Sequence, residues 1–321
     1  MPLHANAQAL VDRLKEAGGG KVRTDWSVPA EVRNELNRKA FSGPDHIGEA
    51  VGRITDIKLP MTWGEMPVRI YYPKTDIPGD TEKGAGLVPG FLFIHGGGFC
   101  MGSIEQYDEL CRKLVNTLGR VTVSFEYRLA PKYRHPSHIE DCISISQWLF
   151  DNAASLGIDR SHIAIGGDSA GGCLTTTTCM YFRDRNGVRF EKQIMAYPCT
   201  DFTFPLTKSM IENEEHTHLN FEAVMWCNMQ YLSPDIDLNA PYLFPNRQKN
   251  LKDLPPCFIL TGEYDVLRDE AEHYGEMLKK AGNDCRVKRY EGMTHTFLLN
   301  YKQFDKALEA LEDIREFCRT D

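Results

Sequence analysis

Short apolar runs alternating with helix-forming stretches restrict this chain more than any other feature of its sequence. Phe91–Ile94, Val121–Phe125, Ile163–Ile165, Ile194–Ala196 and Phe258–Leu260 each have the length of a buried parallel strand. Between them, residues near 104–118, 138–155 and 170–184 carry helical spacing. Further on, Leu267, Ala271, Tyr274 and Leu278 form one apolar stripe, and Phe304, Leu308, Leu311 and Cys318 form another. Such a βαβα order predicts an α/β fold: a mostly parallel central sheet flanked by helices on both faces. Val51–Leu59 and Val68–Tyr72 add strands ahead of the series, and the Gly/Pro/Asp-rich residues 73–90 read as a loop.

The rhythm fails in two places. Between Phe202 and Leu254 no strand is visible, although the stretch is aromatic, with Phe204, Phe221, Trp226, Tyr231 and Tyr242. A structureless loop of that length is improbable inside a compact domain, so an inserted helical segment is expected over 202–254. At the start, Leu10, Val11 and Leu14, then Val32, Leu36 and Phe41, carry helical spacing around the breaker Gly18-Gly19-Gly20, and form an accessory segment over 1–45. The core is then divided into 46–201 and 255–321. At 321 residues the chain is about twice the roughly 150-residue prior for one domain, which suits one large domain with insertions.

Composition removes several functions. With 37 basic against 45 acidic residues and a net charge of -8, the chain offers no footprint for nucleic acid or an anionic membrane surface. Its 10 cysteines show no C-x-x-C pair and read as reduced thiols. The first residues, Met1–Asn6, lack the basic patch and apolar run of a secretory signal, and no stretch of about 18 apolar residues occurs. A cytoplasmic location is therefore expected, with a homodimer left open.

Gly167-Asp168-Ser169-Ala170-Gly171 fits G-x-S-x-G, and it follows one strand and precedes a helical run. That context would put Ser169 on a strained turn, its hydroxyl above the sheet at a helix N-terminus whose dipole favours negative charge. His95-Gly96-Gly97-Gly98-Phe99 directly follows the strand Phe91–Ile94. Consecutive glycines let backbone N–H groups turn toward one point, as an oxyanion hole requires. A phosphate cradle is disfavoured, because the lysine and hydroxyl of G-x-x-x-x-G-K-[ST] are missing. Asp265, after the strand Phe258–Leu260, and His295, after the run Val287–Tyr290, complete the chain order Ser, Asp, His. His95 reads as a brace of the glycine loop, and Glu263 and Asp269 as solvent-facing or helix-capping carboxylates. His216 and His218 lack a completing constellation for a metal, His135 and His138 flank a turn, and Cys100 reads as a packed small side chain.

Together, His95–Phe99 with Gly102-Ser103, Tyr127-Arg128-Leu129-Ala130-Pro131, Gly167–Gly172, Asp265 with Leu267-Arg268-Asp269, and His295 with Phe297 resemble the hormone-sensitive-lipase family of α/β-hydrolases. That family includes the bacterial family IV esterases and the arylacetamide deacetylases. The resemblance spans roughly residues 90–300. It implies Ser169 as nucleophile, His295 as general base and then acid, Asp265 as its orienter, and the N–H groups of Gly97, Gly98 and Ala170 as oxyanion hole. It also implies that the N-terminal segment and the insertion form a helical cap. Departures are Val266 where the family often has proline, Thr296 where it often has glycine, and Cys173 where it often has asparagine.

The expected activity is hydrolysis of short- to medium-chain carboxylic esters through a serine acyl-enzyme, with no metal and no organic cofactor. The same triad also serves amidases, deacetylases, lactonases and acyltransferases, and the same fold serves as a non-catalytic small-molecule receptor when the histidine is lost. Phe202, Phe204, Phe221, Trp226 and Tyr231 are expected to wall the substrate pocket.

Overall fold

The apolar runs pair side by side into one sheet of eight strands. A computed structural model of the protein describes residues 2–6, 8–9, 12, 16, 27–41, 48–74, 86–201, 206–215 and 219–319. The strands are β1 (Arg53–Met61), β2 (Gly64–Tyr72), β3 (Val88–Ile94), β4 (Val121–Phe125), β5 (Ile158–Asp168), β6 (Gln193–Ala196), β7 (Cys257–Tyr264) and β8 (Cys285–Thr294). Their spatial order is β1-β2-β4-β3-β5-β6-β7-β8. β1 and β2 form an antiparallel hairpin, β2 meets β4 antiparallel, and every pairing from β4 onward is parallel. β4 and β6 are buried along their whole length, whereas the edge strand β1 is partly exposed throughout. That contrast is what central and edge strands require.

The helices are α1 (Ala30–Phe41), α2 (Ile104–Leu118), α3 (Ser137–Asn152), α4 (Ala170–Asp184), α5 (Lys208–Glu212), α6 (Phe221–Tyr231), α7 (Arg268–Lys280) and α8 (Asp305–Phe317). Alternation along β3 sorts them into layers. Phe91 and Phe93 face the cluster that holds Leu110, Leu114 and Val115 of α2 and Leu311 and Ile314 of α8. Leu92 and Ile94 face the opposite cluster, with Ile145 and Leu149 of α3, Leu174 of α4 and Tyr274 and Leu278 of α7. Each such fully buried aliphatic side chain contributes about 1.5–3 kcal/mol relative to exposure. α2 is bounded by local chemistry: the Ser103 hydroxyl accepts from the Gln106 N–H at 3.2 Å, and Gly119 ends the helix in the left-handed region.

Because β3, β5, β7 and β8 run parallel, the loops after them emerge at one end of the sheet. The glycine loop, Ser169, Asp265 and His295 all lie there, where α/β sheets hold their sites. Of the 202–254 segment, α5, α6 and a 3-10 turn at Pro245–Arg247 are described, all helical. Its residues 202–205 and 216–218 lie outside the described residues, and so do the readings made of Phe202, Phe204, His216 and His218. Most of the 8–17 stripe and the glycine breaker lie outside them as well.

The apolar spacing that marks α1 in the sequence does not turn inward. Val32 and Leu36 are 50% and 59% exposed. The helix engages the core through its polar side instead: Asn34 Oδ1 accepts from the Gly102 N–H at 2.9 Å, and Arg38 pairs with Glu105 and Glu126. β3 likewise begins at Val88, inside the stretch read as loop, because a register irregularity between Pro89 and Gly90 lets the strand continue past both breakers.

Candidate active site

Ser169 sits between β5 and α4 with φ 52° and ψ -118°. A non-glycine residue held there is strained by about 1–3 kcal/mol, and the surroundings must over-determine it. They do so by backbone hydrogen bonds: its N–H donates to Ala196 at 2.9 Å, and its carbonyl accepts from Gly172 and Cys173. The turn aims Oγ at His295 Nε2, 3.0 Å away. His295 Nδ1 lies 2.7 Å from Asp265 Oδ2, and the other carboxylate oxygen accepts from the Leu267 N–H at 2.9 Å. With the carboxylate able only to accept, Nδ1 carries the proton and Nε2 is left to accept from the serine hydroxyl. The three groups are 8%, 3% and 0% exposed, so their electrostatic coupling is little screened.

Glu263 and Asp269 are engaged elsewhere rather than facing solvent. Glu263 accepts from the Gly292 N–H at 2.7 Å, while Asp269 accepts from the Ser209 N–H at 2.7 Å and pairs with Arg268. Thr296, beside His295, holds φ 61°. A β-branched residue is strained there, which gives the departure from glycine at this position a physical meaning.

Gly97 and Gly98 line the same cavity as Ser169, and Ala170 opens α4. Among the described residues, the N–H groups of Gly97, Gly98 and Ala170 make no hydrogen bond within the protein. Donors left open beside a serine hydroxyl can receive an oxyanion. His95 braces this loop: its ring stacks on Tyr127 at 4.2 Å, Nδ1 donates to the Gly96 carbonyl at 2.8 Å, and burial pushes its pKa down to about 4. His138 donates from Nε2 to the Phe99 carbonyl at 2.9 Å and is held at about 3 by burial. Cys100, 1% exposed, has a neighbour that spacing did not reveal, since its Sγ lies 4.0 Å from Cys227 Sγ on α6.

The cavity measures about 210 Å³. From the 202–254 segment its walls are Leu219, Ala223, Val224 and Cys227 rather than the expected aromatics. Asn220 caps α6, accepting from the Ala223 N–H at 2.9 Å, and so marks where the helix starts. Tyr231 falls a turn beyond the cavity and stacks on Phe99 at 3.8 Å, while Trp226 lies under the Arg33 guanidinium. Two further residues at the site escaped the reading of the sequence. Asp168 accepts from the Gly96 N–H at 2.7 Å and from the Tyr107 hydroxyl at 3.1 Å. An acidic residue directly before the candidate serine, at the end of the apolar run from Ile163, was the available signal.

A family model described as the alpha/beta hydrolase fold matches residues 91–299. The chain belongs to the α/β-hydrolase family. Among curated members, this α/β-hydrolase is 34% identical to Esterase LipI of Mycobacterium tuberculosis, over 77% of this chain and 75% of that one. It is also 34% identical to an arylesterase of Saccharolobus solfataricus, over 84% of each chain. Among solved structures, the hyperthermophilic esterase of the archaeon Pyrobaculum calidifontis superposes with TM-score 0.89 at 32% identity, covering 99% of this chain and 98% of that one. No helix among the described residues is long and apolar enough to cross a membrane.

Proposed function

We propose that this α/β-hydrolase is a serine carboxylesterase in which Ser169 attacks the ester carbonyl. His295 takes the hydroxyl proton at Nε2 and later returns it to the leaving alcohol, and Asp265 holds the imidazole tautomer and favours its charged form. The N–H groups of Gly97, Gly98 and Ala170 receive the charge that develops on the carbonyl oxygen. Water, activated by the same histidine, then releases the acid. The observation that carries this reading is the unbroken hydrogen-bonded line from Asp265 through His295 to Ser169, opening onto donors without internal partners.

The α6 segment and α1 act in this reading as the helical cap over the site. A volume of about 210 Å³ falls below the roughly 300–1,000 Å³ of pockets that hold drug-sized ligands, and supports short- to medium-chain esters. Ten free, buried thiols suit a reducing compartment such as the cytoplasm.

The test is a rapid-mixing burst with p-nitrophenyl acetate. Wild type should release one equivalent of p-nitrophenol ahead of the steady state, and Ser169→Ala should release none while keeping its melting temperature. A wild-type chain that binds the ester without any turnover would instead be a receptor.

A further inference from the structure

Asp168 has no part in the steps above, yet it touches both halves of the machinery. It is fully buried at the last position of β5, immediately before Ser169. Oδ1 accepts from the Gly96 N–H at 2.7 Å, Oδ2 accepts from the Tyr107 hydroxyl at 3.1 Å, and the Tyr107 oxygen also receives the Gly96 N–H at 3.1 Å. The fit is close: a Cβ on Gly96 would lie 2.8 Å from Oδ2 and 3.0 Å from the Tyr107 oxygen. One carboxylate therefore ties the residue before the nucleophile to the residue before Gly97 and Gly98. Tyr107 from α2 touches it, and the other titratable groups that couple to its charge are Cys111 from α2, Tyr127 after β4, Tyr197 after β6 and His295 after β8. Of these only His295 becomes a cation during the reaction.

We propose that Asp168 is a positioning residue whose ionised carboxylate clamps the glycine loop onto the nucleophile turn, keeping the Gly97 and Gly98 donors aimed above Ser169, and favours the protonated His295. The proposal rests on the esterase reading above. Hydrogen bonds to a charged acceptor are about twice as strong as neutral ones, so the clamp needs the anion. Burial pushes the Asp168 carboxyl up to about 6 from its ordinary 3.8. Because this folded-state pKa is raised, the anion is a burden on the fold above about pH 6, and that burden is gone below the unfolded value. Catalysis runs the opposite way, since the clamp is lost as pH falls through about 6.

Asp168→Asn separates a catalytic role from a structural one. The variant should lose about 10- to 100-fold in kcat with KM within threefold, as expected for misaimed oxyanion donors. It should also melt higher than wild type at pH 8 and equal to it near pH 4. On the acid side, kcat of wild type should fall as pH drops through about 6 by a component that the variant lacks. Tyr107→Phe, which removes one of the two donors to the carboxylate, should lose part of kcat alone and add nothing in the Asp168→Asn background. If Asp168→Asn does not fold, Tyr107→Phe must still lower kcat and shift the acid limb. Unchanged kcat with an unchanged acid limb would overturn the proposal, and so would a lower melting temperature at pH 8 with the loss residing in KM. The wild-type burst is measured first, so a failed esterase reading is told apart from a failed clamp.

Discussion

Replacing Gly98 with alanine should disable the site by a route that a second substitution can reverse. Gly98 holds φ 61°, and a Cβ built on it lies 2.4 Å from Cys227 Sγ and 3.1 Å from Cys227 Cβ. Ordinary van der Waals contact begins near 3.4 Å, so the Cys227 sulfur, buried against Cys100, or else α6 or the glycine loop, must shift by about 1 Å. A 1 Å misplacement of a positioned group costs about 10²-fold, and loss of one oxyanion donor about 10²–10³ in kcat. Gly98→Ala should therefore lower kcat by about 10²–10³, and left-handed strain of about 1–2 kcal/mol should lower its melting temperature. Adding Cys227→Ala removes the sulfur and leaves a Cβ at 3.1 Å, an overlap of a few tenths of an ångström that the helix can absorb. The double variant should recover at least about tenfold in kcat while its melting temperature stays low, because the φ strain remains. Steady-state hydrolysis of p-nitrophenyl butyrate and thermal melts of the four proteins decide the matter. A single variant within threefold of wild type, or a double variant no faster than the single, would refute the reasoning.

Three further expectations follow from the same geometry. Asp265→Asn should lower kcat on the order of 10⁴, as the equivalent change does in a serine-protease triad, because the amide favours the wrong His295 tautomer; a variant near full activity would mean that another carboxylate orients the ring. His138, held at about 3 by burial, binds its proton in the unfolded chain near pH 6.5 but not in the fold, so stability is full above 6.5 and falls as pH drops toward 4. Its share is up to about 1.4 kcal/mol per pH unit, and urea unfolding at pH 7.5 and 5 should show a smaller drop for His138→Gln than for wild type. Cys227→Ala should move the optimum on a p-nitrophenyl ester series toward longer acyl chains, each added methylene contributing about 0.8 kcal/mol until the pocket is full; an unmoved optimum would mean that the sulfur does not bound the acyl site.

The strands were legible because burial on both faces leaves a nearly continuous apolar run, and β4, predicted over Val121–Phe125, occupies those residues in the structure. The helices 104–118 and 170–184 match α2 and α4 residue for residue, since each begins beside a marked feature, the Ser103 cap and the Ser169 turn. Ser169, Asp265 and His295 were legible as an order of chemistry at the ends of strands, and the fold brings them within hydrogen-bonding distance. The walls of the cavity were not. α6 is apolar on several sides, so composition singled out Trp226 and Tyr231, and the packing that turns Ala223, Val224 and Cys227 inward comes from elements distant in sequence. Asp168 stayed hidden for another reason: its partners Gly96 and Tyr107 are distant in sequence and meet it only after the parallel sheet has formed.

The burial of all ten cysteines, Cys227 of α6 among them, also turns the molecule into its own unfolding gauge. Cys227 is the one cysteine within residues 202–254, and the other nine lie outside that segment. A thiol-reactive dye meets sulfur only when the structure around it opens, so its rate reports the free energy of that opening. If α6 lifts on its own during each cycle of substrate access, Cys227 and its neighbour Cys100 will label early and the other eight will follow with the global transition. If access needs no such lifting, all ten will react together.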